Sequence, residues 1–459
     1  MPSKLQVALV CDWLTAVGGA EQVLREIHHL FPDAPIYTSQ YRPSKIDWFK
    51  DAKIKTGWLN LLPAVTRRLI APLRQNYFKH LDLTAYDLVI SVSGCDAKFV
   101  KTKKGAHFCY CHVPTQYYWG KTNEYLQDPG FGALNFIVRP VYRLLLPRLR
   151  KKDLQAATRP DYYITISDFA KSEIKKYYKR EAKIIYPPVN TEIFSEVVQY
   201  KNTRQGNCQI TEQHKNKKSQ INQKNNQTIN NNKSQINTES YQKTKSDICQ
   251  IEIVENSGKP TDYFINFSRQ VSWKRLDLAI KACIQESQSL VLIGDGPEHQ
   301  SLLQLANQRP DLITMKPTLP QSELKEYLKN AKAFLFPSEE PFGIAPVEAL
   351  AAGCPVIAFA RGGAKDYILD EKNGLFFESQ TVDSLASAIQ KFNQITESTS
   401  NPQTSKPHHP KILSPETSIL SDSPSSFLSP AEISQTAEKF SKEHFKSTLK
   451  QFIDQTLGK

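Results

Sequence analysis

The pattern that most constrains the fold is a repeated alternation of short apolar runs with longer amphipathic stretches. In the first part of the chain, runs typical of β-strands occupy 5–10, 36–38, 88–92, 107–111, 162–166 and 184–186. Beyond residue 260 the alternation resumes, with strands predicted at 263–267, 290–293, 333–336 and 356–359, and helices at 275–286, 298–308, 321–330 and 345–352. Strands separated by helices favour parallel sheets covered by those helices. The sequence therefore predicts an α/β protein of two doubly wound, Rossmann-like domains in series.

Composition separates these domains from two polar segments. Residues 199–258 are rich in Asn, Gln, Lys and Ser, and offer too little apolar surface to offset the entropy of ordering, so we predict a disordered insert. This insert carries much of the formal charge: 201–250 contributes a net +6 of the total +13. The predicted organisation is a first domain at 1–187, the insert, a second domain at 259–395, a polar flexible segment at 396–427, and a final helix at 428–459 that returns to the first domain.

The chain offers no predicted membrane span or secretory signal, but two segments suit a membrane surface. The first ten residues read as a strand, and no run approaches ~20 uncharged apolar residues. Cysteines inside apolar runs (Cys11, Cys109, Cys111) are expected to be buried small hydrophobes. The segments 67–74 and 139–152 mix Arg and Lys with Leu, Ile and Val. We expect a cytoplasmic protein, peripheral on an anionic membrane, although the same segments also suit solvated helices over a core.

The most informative stretch for function is 338–357, where a strand ends, a turn follows and a helix begins near Ile344. Free backbone amides around Gly343 and Ile344 would bind a phosphate, because the first N–H groups of a helix lack internal partners. Glu340 and Glu348 lie eight residues apart across the turn, and Glu348 is placed to accept the hydroxyls of a ribose. The alternative is a capped surface helix with two solvated acids.

This stretch resembles the Glu-x7-Glu motif of the retaining glycosyltransferases of family 4, which have the GT-B fold. Four further landmarks of that family appear in order: a Gly-rich loop at 12–21, a Cys-His-x-Pro stretch at 111–114, a cationic loop at 268–274, and a loop at 292–297. The resemblance covers nearly the whole chain outside the polar segments. It implies two Rossmann-like domains that face each other across a cleft, with the acceptor-side domain first and the nucleotide-sugar (donor) domain second.

The resemblance also implies roles for particular residues. Arg269 and Lys274 would stabilise the departing diphosphate, because paired cations can neutralise a leaving group without a metal. Glu340 would lie near the sugar hydroxyls and the diphosphate, and His112 would contact the sugar from the other domain. The Gly18-Gly19 loop would close over the sugar and phosphates. We therefore expect no metal and no cofactor, the nucleotide sugar being a substrate.

Finer features of the motifs are most similar to the mannosyltransferase B group. That similarity implies transfer of mannose from GDP-mannose to a lipid-linked or polysaccharide acceptor in cell-surface glycan biosynthesis. A different shape of nucleobase pocket is suggested at Met315-Lys-Pro317, where relatives often have Phe-Leu-Gly. A UDP-sugar donor therefore remains an alternative.

Three other readings of the same residues stay open. His107, Cys109, Cys111 and His112 are spaced closely enough to suggest zinc, but alternation along a strand sends His112 to the opposite face from the two cysteines. A nucleotide-sugar epimerase on the same fold would act on the donor alone. A basic nucleic-acid-binding protein would carry its charge on a folded face with interleaved aromatic residues, whereas much of the charge here lies in the insert, so no nucleic acid is expected.

Overall fold

The computed structural model describes residues 5–64, 70–127, 132, 135–198, 262–400 and 427–458. The first domain is built on a seven-stranded, wholly parallel sheet in the order β3-β2-β1-β4-β5-β6-β7. Its strands are β1 Val7–Cys11, β2 Ile36–Thr38, β3 Ile54–Thr56, β4 Leu88–Ser93, β5 His107–Cys111, β6 Tyr162–Thr165 and β7 Lys183–Ile184. The central strands β1, β4 and β5 are buried along their whole length, as is typical of parallel strands covered on both faces.

Helices cover both faces of this sheet. They are α1 Gly19–Leu30, α2 Ala71–His80, α3 Thr122–Gln127, α4 Asn135–Ala157 and α5 Asp168–Tyr178. Helix α1 buries Val23, Leu24 and Ile27, whose 3–4 residue spacing forms one apolar face. The N-cap of α5 is Ser167, whose side chain accepts a hydrogen bond from the amide of Ala170.

The second domain repeats this architecture with a six-stranded parallel sheet in the order β10-β9-β8-β11-β12-β13. Its strands are β8 Tyr263–Phe267, β9 Leu290–Ile293, β10 Ile313–Lys316, β11 Ala331–Phe336, β12 Val356–Phe359 and β13 Gly374–Phe377. Its helices are α6 Leu276–Gln285, α7 His299–Ala306, α8 Gln321–Asn330, α9 Ile344–Ala351 and α10 Val382–Ser400. The predicted fold class, two doubly wound α/β domains, is confirmed.

Three strands escaped the sequence pattern. Ile54–Thr56 is an edge strand with exposed residues, and Gly374–Phe377 opens on a glycine, so neither shows the buried β-branched run that signals a strand. The third is Ile313–Lys316, for which the sequence pattern predicts no secondary structure. Helix α10 also runs beyond residue 395, where we had placed the end of the second domain. The insert predicted at 199–258 lies outside the described residues, as does 401–426 within the predicted polar segment.

The chain passes between the domains twice, and the two passages lie side by side. After β7 it leaves the first domain through Val189, whose amide donates to the carbonyl of Phe440 at 2.8 Å. It returns through α11 Pro430–Thr436 and the turn Glu438–Phe440, and Ser441 pairs with Val189 in an isolated parallel bridge. The last helix, α12 Lys442–Leu457, buries Phe445, Leu449 and Ile453.

Helix α12 packs on the first domain, although it follows the second in the chain. Its Phe452 contacts Phe108 of β5 with ring centroids 5.9 Å apart, and its Phe445 contacts Tyr110 at the same centroid distance. It also packs beside α1. The first domain is therefore assembled from both ends of the sequence.

Membrane-related features differ in part from the prediction. No helix among the described residues is both long and apolar enough to cross a bilayer. Arg74 is not a surface cation: its side chain is 1% exposed, and its Nε donates to Asp96 Oδ2 at 2.6 Å. The prediction that Arg74 faces a membrane is wrong, because a basic, apolar helix pattern does not reveal which face carries the cation. Arg67 and Arg68 lie outside the described residues.

Candidate active site

The candidate site lies where the strand order of the second sheet reverses, at the carboxyl ends of β8 and β11. Loops that leave neighbouring strands in opposite directions open a crevice there, which is where doubly wound folds bind ligands. The loop after β8 forms a turn at Ser272–Lys274, and the loop after β11 leads into α9. Arg269, Lys274, Glu340 and Glu348 all lie on these two loops or on α9.

Lys274 and Glu340 form the centre of this group. Lys274 Nζ lies 2.5 Å from Glu340 Oε1, and the two side chains are 18% and 19% exposed. The hydroxyl of Ser338 donates to the same carboxylate oxygen at 2.7 Å. Because both side chains remain partly open to solvent, Lys274 can exchange Glu340 for an anion that enters the crevice.

Helix α9 begins at Ile344, where the sequence placed it, and its N-cap is Gly343. Gly343 has φ +94°, and a Cβ atom there would lie 2.7 Å from Phe336 Cζ, so both the backbone and the packing require glycine. The cap has no side chain to satisfy the first amides of the helix, which leaves them available to an anion.

The start of α1 in the first domain faces the start of α9. Gly18 is the N-cap of α1, again without a side chain, and a Cβ atom on Gly19 would lie 3.0 Å from Ile344 Cδ1. Two uncapped helix N-termini therefore meet across the cleft between the domains. Because each carries a partial positive charge, the space around them favours a polyanion.

Glu348 lies deeper, on the buried side of α9. Its side chain is almost fully buried, and Gln321 Nε2 donates to Glu348 Oε1 at 3.2 Å. Burial raises the pKa of Glu348 to about 7, and the hydrogen bond from Gln321 acts weakly in the opposite direction. A carboxyl group with such a pKa is costly for the empty protein and suited to a ligand that donates hydroxyls.

Arg269 is placed differently from Lys274. It is exposed, and its guanidinium lies 5.9 Å from the ring centroid of Trp273 on the same loop. The loop itself is held by Gly294 after β9, where φ is +140° and a Cβ atom would overlap the carbonyl oxygen of Ser268 at 2.1 Å. Lys274 and Glu340 are thus in contact, while Arg269 stands at the rim of the same crevice.

In the first domain, Asp12 organises the loop after β4. Its two carboxylate oxygens accept hydrogen bonds from the amides of residues 94, 95, 96 and 97 at 2.6–3.0 Å. This clamp joins the carboxyl ends of β1 and β4, the point of strand reversal in the first sheet. The sequence analysis missed its role. The signal available was an acid directly after a buried strand, but its partners are more than 80 residues away.

His112 lines a cavity of about 120 Å³ next to this clamp, together with Asp12, Glu21 and Cys95. Its Nε2 is buried and has no hydrogen-bond partner among the described residues. Burial lowers the pKa of His112 to about 4, so the ring is neutral at pH 7. A neutral imidazole with an unsatisfied nitrogen is suited to a hydroxyl of a bound ligand.

Two buried ion pairs stabilise the loop that lines this cavity. Arg74 pairs with Asp96, and Lys98 Nζ lies 2.7 Å from Asp153 Oδ1 of α4, all with side chains 2% exposed or less. Removal of one partner of such a pair leaves an uncompensated buried charge. These pairs fix the loop after β4 against α2 and α4.

The described residues contain no group of three or more His, Cys, Asp and Glu arranged to hold a metal ion. Of the four residues considered for zinc, His107 is fully buried and its Nε2 lies 2.8 Å from the hydroxyl of Ser91. Cys109 and Cys111 are buried and free. These three side chains are part of the sheet interior.

Sequence comparison finds similarity to known proteins mainly in the second domain. Residues 250–405 match the family described as glycosyl transferases group 1. A putative colanic acid biosynthesis glycosyltransferase, WcaL, of Salmonella typhimurium is 29% identical over 160 residues, which are 32% of this chain and 39% of WcaL. A GDP-mannose-dependent phosphatidylinositol monomannoside mannosyltransferase of Mycobacterium tuberculosis is 33% identical over 111 residues, 22% of this chain and 29% of that protein. The chain thus aligns with less than half the length of these relatives.

Solved structures match over nearly the whole chain. Anabaena HepE, crystallised with UDP, superposes with a TM-score of 0.57 at 14% identity, covering 98% of this chain and 100% of HepE. Sucrose-phosphate synthase of Thermosynechococcus elongatus gives a TM-score of 0.59 at 16% identity, covering 99% and 100%. This likeness establishes the GT-B fold for both domains together. The match to group 1 glycosyl transferases covers the second domain and its flanks.

Proposed function

We propose that this chain is a retaining glycosyltransferase that transfers a hexose from a nucleoside diphosphate sugar to an acceptor. The observation that carries the proposal is the meeting of Lys274, Glu340 and the uncapped start of α9 opposite the start of α1. Cations and helix N-termini that converge on one crevice provide the positive charge and the hydrogen-bond donors that stabilise a departing diphosphate.

In this mechanism the diphosphate is bound by the amides at Gly343 and Ile344, by Lys274 and, at the rim, by Arg269. The bond from the anomeric carbon to the diphosphate oxygen breaks while the acceptor oxygen bonds to the same face of that carbon. The acceptor proton passes to an oxygen of the leaving diphosphate, so no side chain is needed as a general base. Glu340 and His112 orient the sugar hydroxyls, and Glu348 accepts hydroxyls of the ribose.

The donor we favour is GDP-mannose. The Mycobacterium tuberculosis relative is GDP-mannose-dependent, and its similarity supports the same donor here. UDP-sugars are the second candidate, because Anabaena HepE was crystallised with UDP and with UDP-glucose.

The acceptor side of the cleft supports a saccharide acceptor, lipid-linked or polymeric. A cavity of about 650 Å³ lies between the domains, with Gln116, Glu173 and Tyr177 from the first and Trp273 and Glu339 from the second. Aromatic faces with nearby acids are suited to sugar rings and hydroxyls.

We also propose that the protein works as a cytoplasmic enzyme docked on an anionic membrane, through the first half of α4. This part of α4 exposes Phe136, Ile137, Val141 and Leu144. The cations Arg139 and Arg143 of this part are exposed as well, and so are Arg148, Lys151 and Lys152, which follow on the same helix; 135–152 contains no acid. An exposed apolar and basic helix face is complementary to anionic lipid headgroups.

The test is a panel of nucleotide sugars, assayed for thermal stabilisation, for hydrolysis, and for transfer in the presence of membrane extracts. We expect stabilisation by GDP or UDP sugars and transfer that requires an acceptor. Conversion of the donor alone to an epimer would instead support the epimerase. Since Lys274, Arg269 and helix amides replace a divalent ion here, activity should survive EDTA, and loss that manganese restores would contradict this part of the proposal.

A further inference from the structure

A chain of hydrogen bonds connects Glu348 to the place where the polypeptide passes between the domains. Gln321 of α8 donates through Nε2 to Glu348 Oε1 at 3.2 Å. Asn190 donates through Nδ2 to Gln321 Oε1 at 3.0 Å, and Lys442 Nζ donates to Asn190 Oδ1 at 3.0 Å. These contacts join four segments of the chain that are up to 252 positions apart in the sequence.

All three hydrogen bonds run in one direction, from the ammonium of Lys442 to the carboxylate of Glu348. Each amide accepts on its oxygen and donates from its nitrogen, so a flip of either amide would lose two hydrogen bonds at once. Aligned bonds of this kind polarise one another, and the cation at one end strengthens donation to the anion at the other. The chain therefore fixes the orientation of Gln321 and, through it, of Glu348.

The far end of this chain of hydrogen bonds lies where the polypeptide passes between the domains, a region that we call the hinge. Asn190 directly follows Val189, and Lys442 directly follows Ser441, which are the two residues of the bridge between the passages. Asn190 is only 9% exposed. Neither Asn190 nor Lys442 belongs to the crevice that holds Lys274 and Glu340, so neither has a reason in the proposed reaction to be polar.

We propose that Gln321 is a positioning residue for Glu348, and that Asn190 and Lys442 hold Gln321 in place, so that affinity for ribose depends on residues of the hinge. This inference rests on the proposed function, in which Glu348 accepts the ribose hydroxyls. Gln321 engages Oε1 of the carboxylate and leaves Oε2 as the acceptor for the ligand. Without Gln321, the buried carboxyl loses its only described hydrogen-bond donor and the geometry that presents Oε2.

The experiment compares two probes that share a diphosphate but differ in ribose. Affinities for GDP or UDP and for inorganic diphosphate are measured by calorimetry on the full-length chain. The variants are Gln321→Leu, Asn190→Leu and Lys442→Met, and the matched control is Lys325→Gln. Lys325 also lies on α8, but its partner is Glu196, six residues beyond Asn190. Melting temperatures identify variants that fail to fold. If the two leucine variants fail to fold, Lys442→Met still tests the inference, because it alters only a side chain at the start of a helix.

We expect Gln321→Leu to weaken nucleotide binding about tenfold, the effect of one hydrogen bond to a charged group. Asn190→Leu and Lys442→Met should weaken it about threefold to tenfold, while inorganic diphosphate binding changes less than about twofold in all three. Lys325→Gln should match the wild type. In a Glu348→Gln background, the additional change Gln321→Leu should have almost no further effect, because the two residues act as a unit.

Three outcomes separate the possible failures. If both probes weaken in parallel, or if the effects of Gln321→Leu and Glu348→Gln simply add, the chain is only structural and the inference is wrong. If Asn190→Leu and Lys442→Met bind nucleotide like the wild type, the dependence on the hinge is wrong. If the wild type binds inorganic diphosphate but no nucleotide, the proposed function itself fails at the ribose.

Discussion

At the scale of single residues, the candidate site combines groups that are unfavourable in the empty protein with groups that already have partners. Glu348 is buried at a cost, whereas Lys274 pairs with Glu340, which also accepts a hydrogen bond from Ser338. Binding sites commonly retain such destabilising groups because the ligand, when it arrives, supplies the missing interaction. Substitution of Glu348 is therefore expected to stabilise the empty protein, whereas substitution of Lys274 is expected to lower activity.

Replacement of Lys274 by alanine should lower turnover by a factor of roughly 100 or more, since Lys274 would stabilise charge that grows as the diphosphate leaves. Arginine should rescue the loss only partly, because its planar fork does not occupy the space of an ammonium. Steady-state rates of sugar transfer measure the effect. The matched control is Lys281→Ala, which removes an exposed lysine from α6 near the same loop. Equal turnover of Lys274→Ala and the control would contradict the role.

Replacement of Glu348 by glutamine should stabilise the empty protein at pH 8 but not at pH 4. The pKa of Glu348 is about 7 when folded and near 4.5 when unfolded, so the folded state retains the proton more strongly. Stability is therefore lost as pH rises from about 4.5 to 7, by at most roughly 3 kcal/mol. Urea unfolding of both proteins across this pH range tests the sign, and an advantage of the variant that is largest at acidic pH would refute it.

At the scale of elements, sequence patterns predicted some features well and others not at all. The start of α9 was placed correctly because a glycine next to an apolar run is a local signal. The exposure of Arg74 was wrong, and the clamp by Asp12 was missed, since both depend on partners that are 22 or more residues away. Family resemblance placed both Lys274 and Glu340 near the diphosphate, but it did not predict their contact, which spans 66 residues. No local pattern in the sequence reveals contacts between residues that are so far apart in the chain.

Helix α4 should determine membrane binding. We expect the protein to sediment with anionic vesicles at low salt and to be released at high salt, because each cation near an anionic surface contributes about 1 kcal/mol. Arg139→Glu, Arg143→Glu and Arg148→Glu combined should abolish sedimentation. The matched control reverses three exposed lysines of the same domain, Lys101, Lys103 and Lys104, with the same change in charge.

Vesicle binding by the combined α4 variant at the wild-type level would show that α4 is not the anchor. If deletion of 201–250 abolishes sedimentation while the α4 reversals have no effect, the positive charge of the insert is responsible instead. Arg74 is excluded from this set because its charge is buried beside Asp96.

At the scale of the whole molecule, the first domain depends on the other end of the chain. A chain that stops after Ser441 would lose α12 and expose the surface that Phe445, Leu449 and Ile453 cover. Each such side chain contributes about 1.5–3 kcal/mol by burial, which together approaches the entire stability of a typical domain. We expect calorimetry to show loss of one unfolding transition. A chain ending at Leu457 is the control and should unfold like the wild type. If the chain that stops after Ser441 retains every unfolding transition of the wild type, the prediction is contradicted.

The same arrangement has a consequence for biosynthesis. A ribosome releases the seven strands of the first sheet early, but α12, which packs on them, emerges only after the entire second domain. At roughly 5–20 residues per second, this interval is on the order of tens of seconds. During it, the nascent chain presents an apolar surface around Phe108 and Tyr110 that α12 will later cover. Translation therefore produces this protein in an order that makes the earliest domain the last to mature, and chaperones have their longest opportunity to bind at that surface.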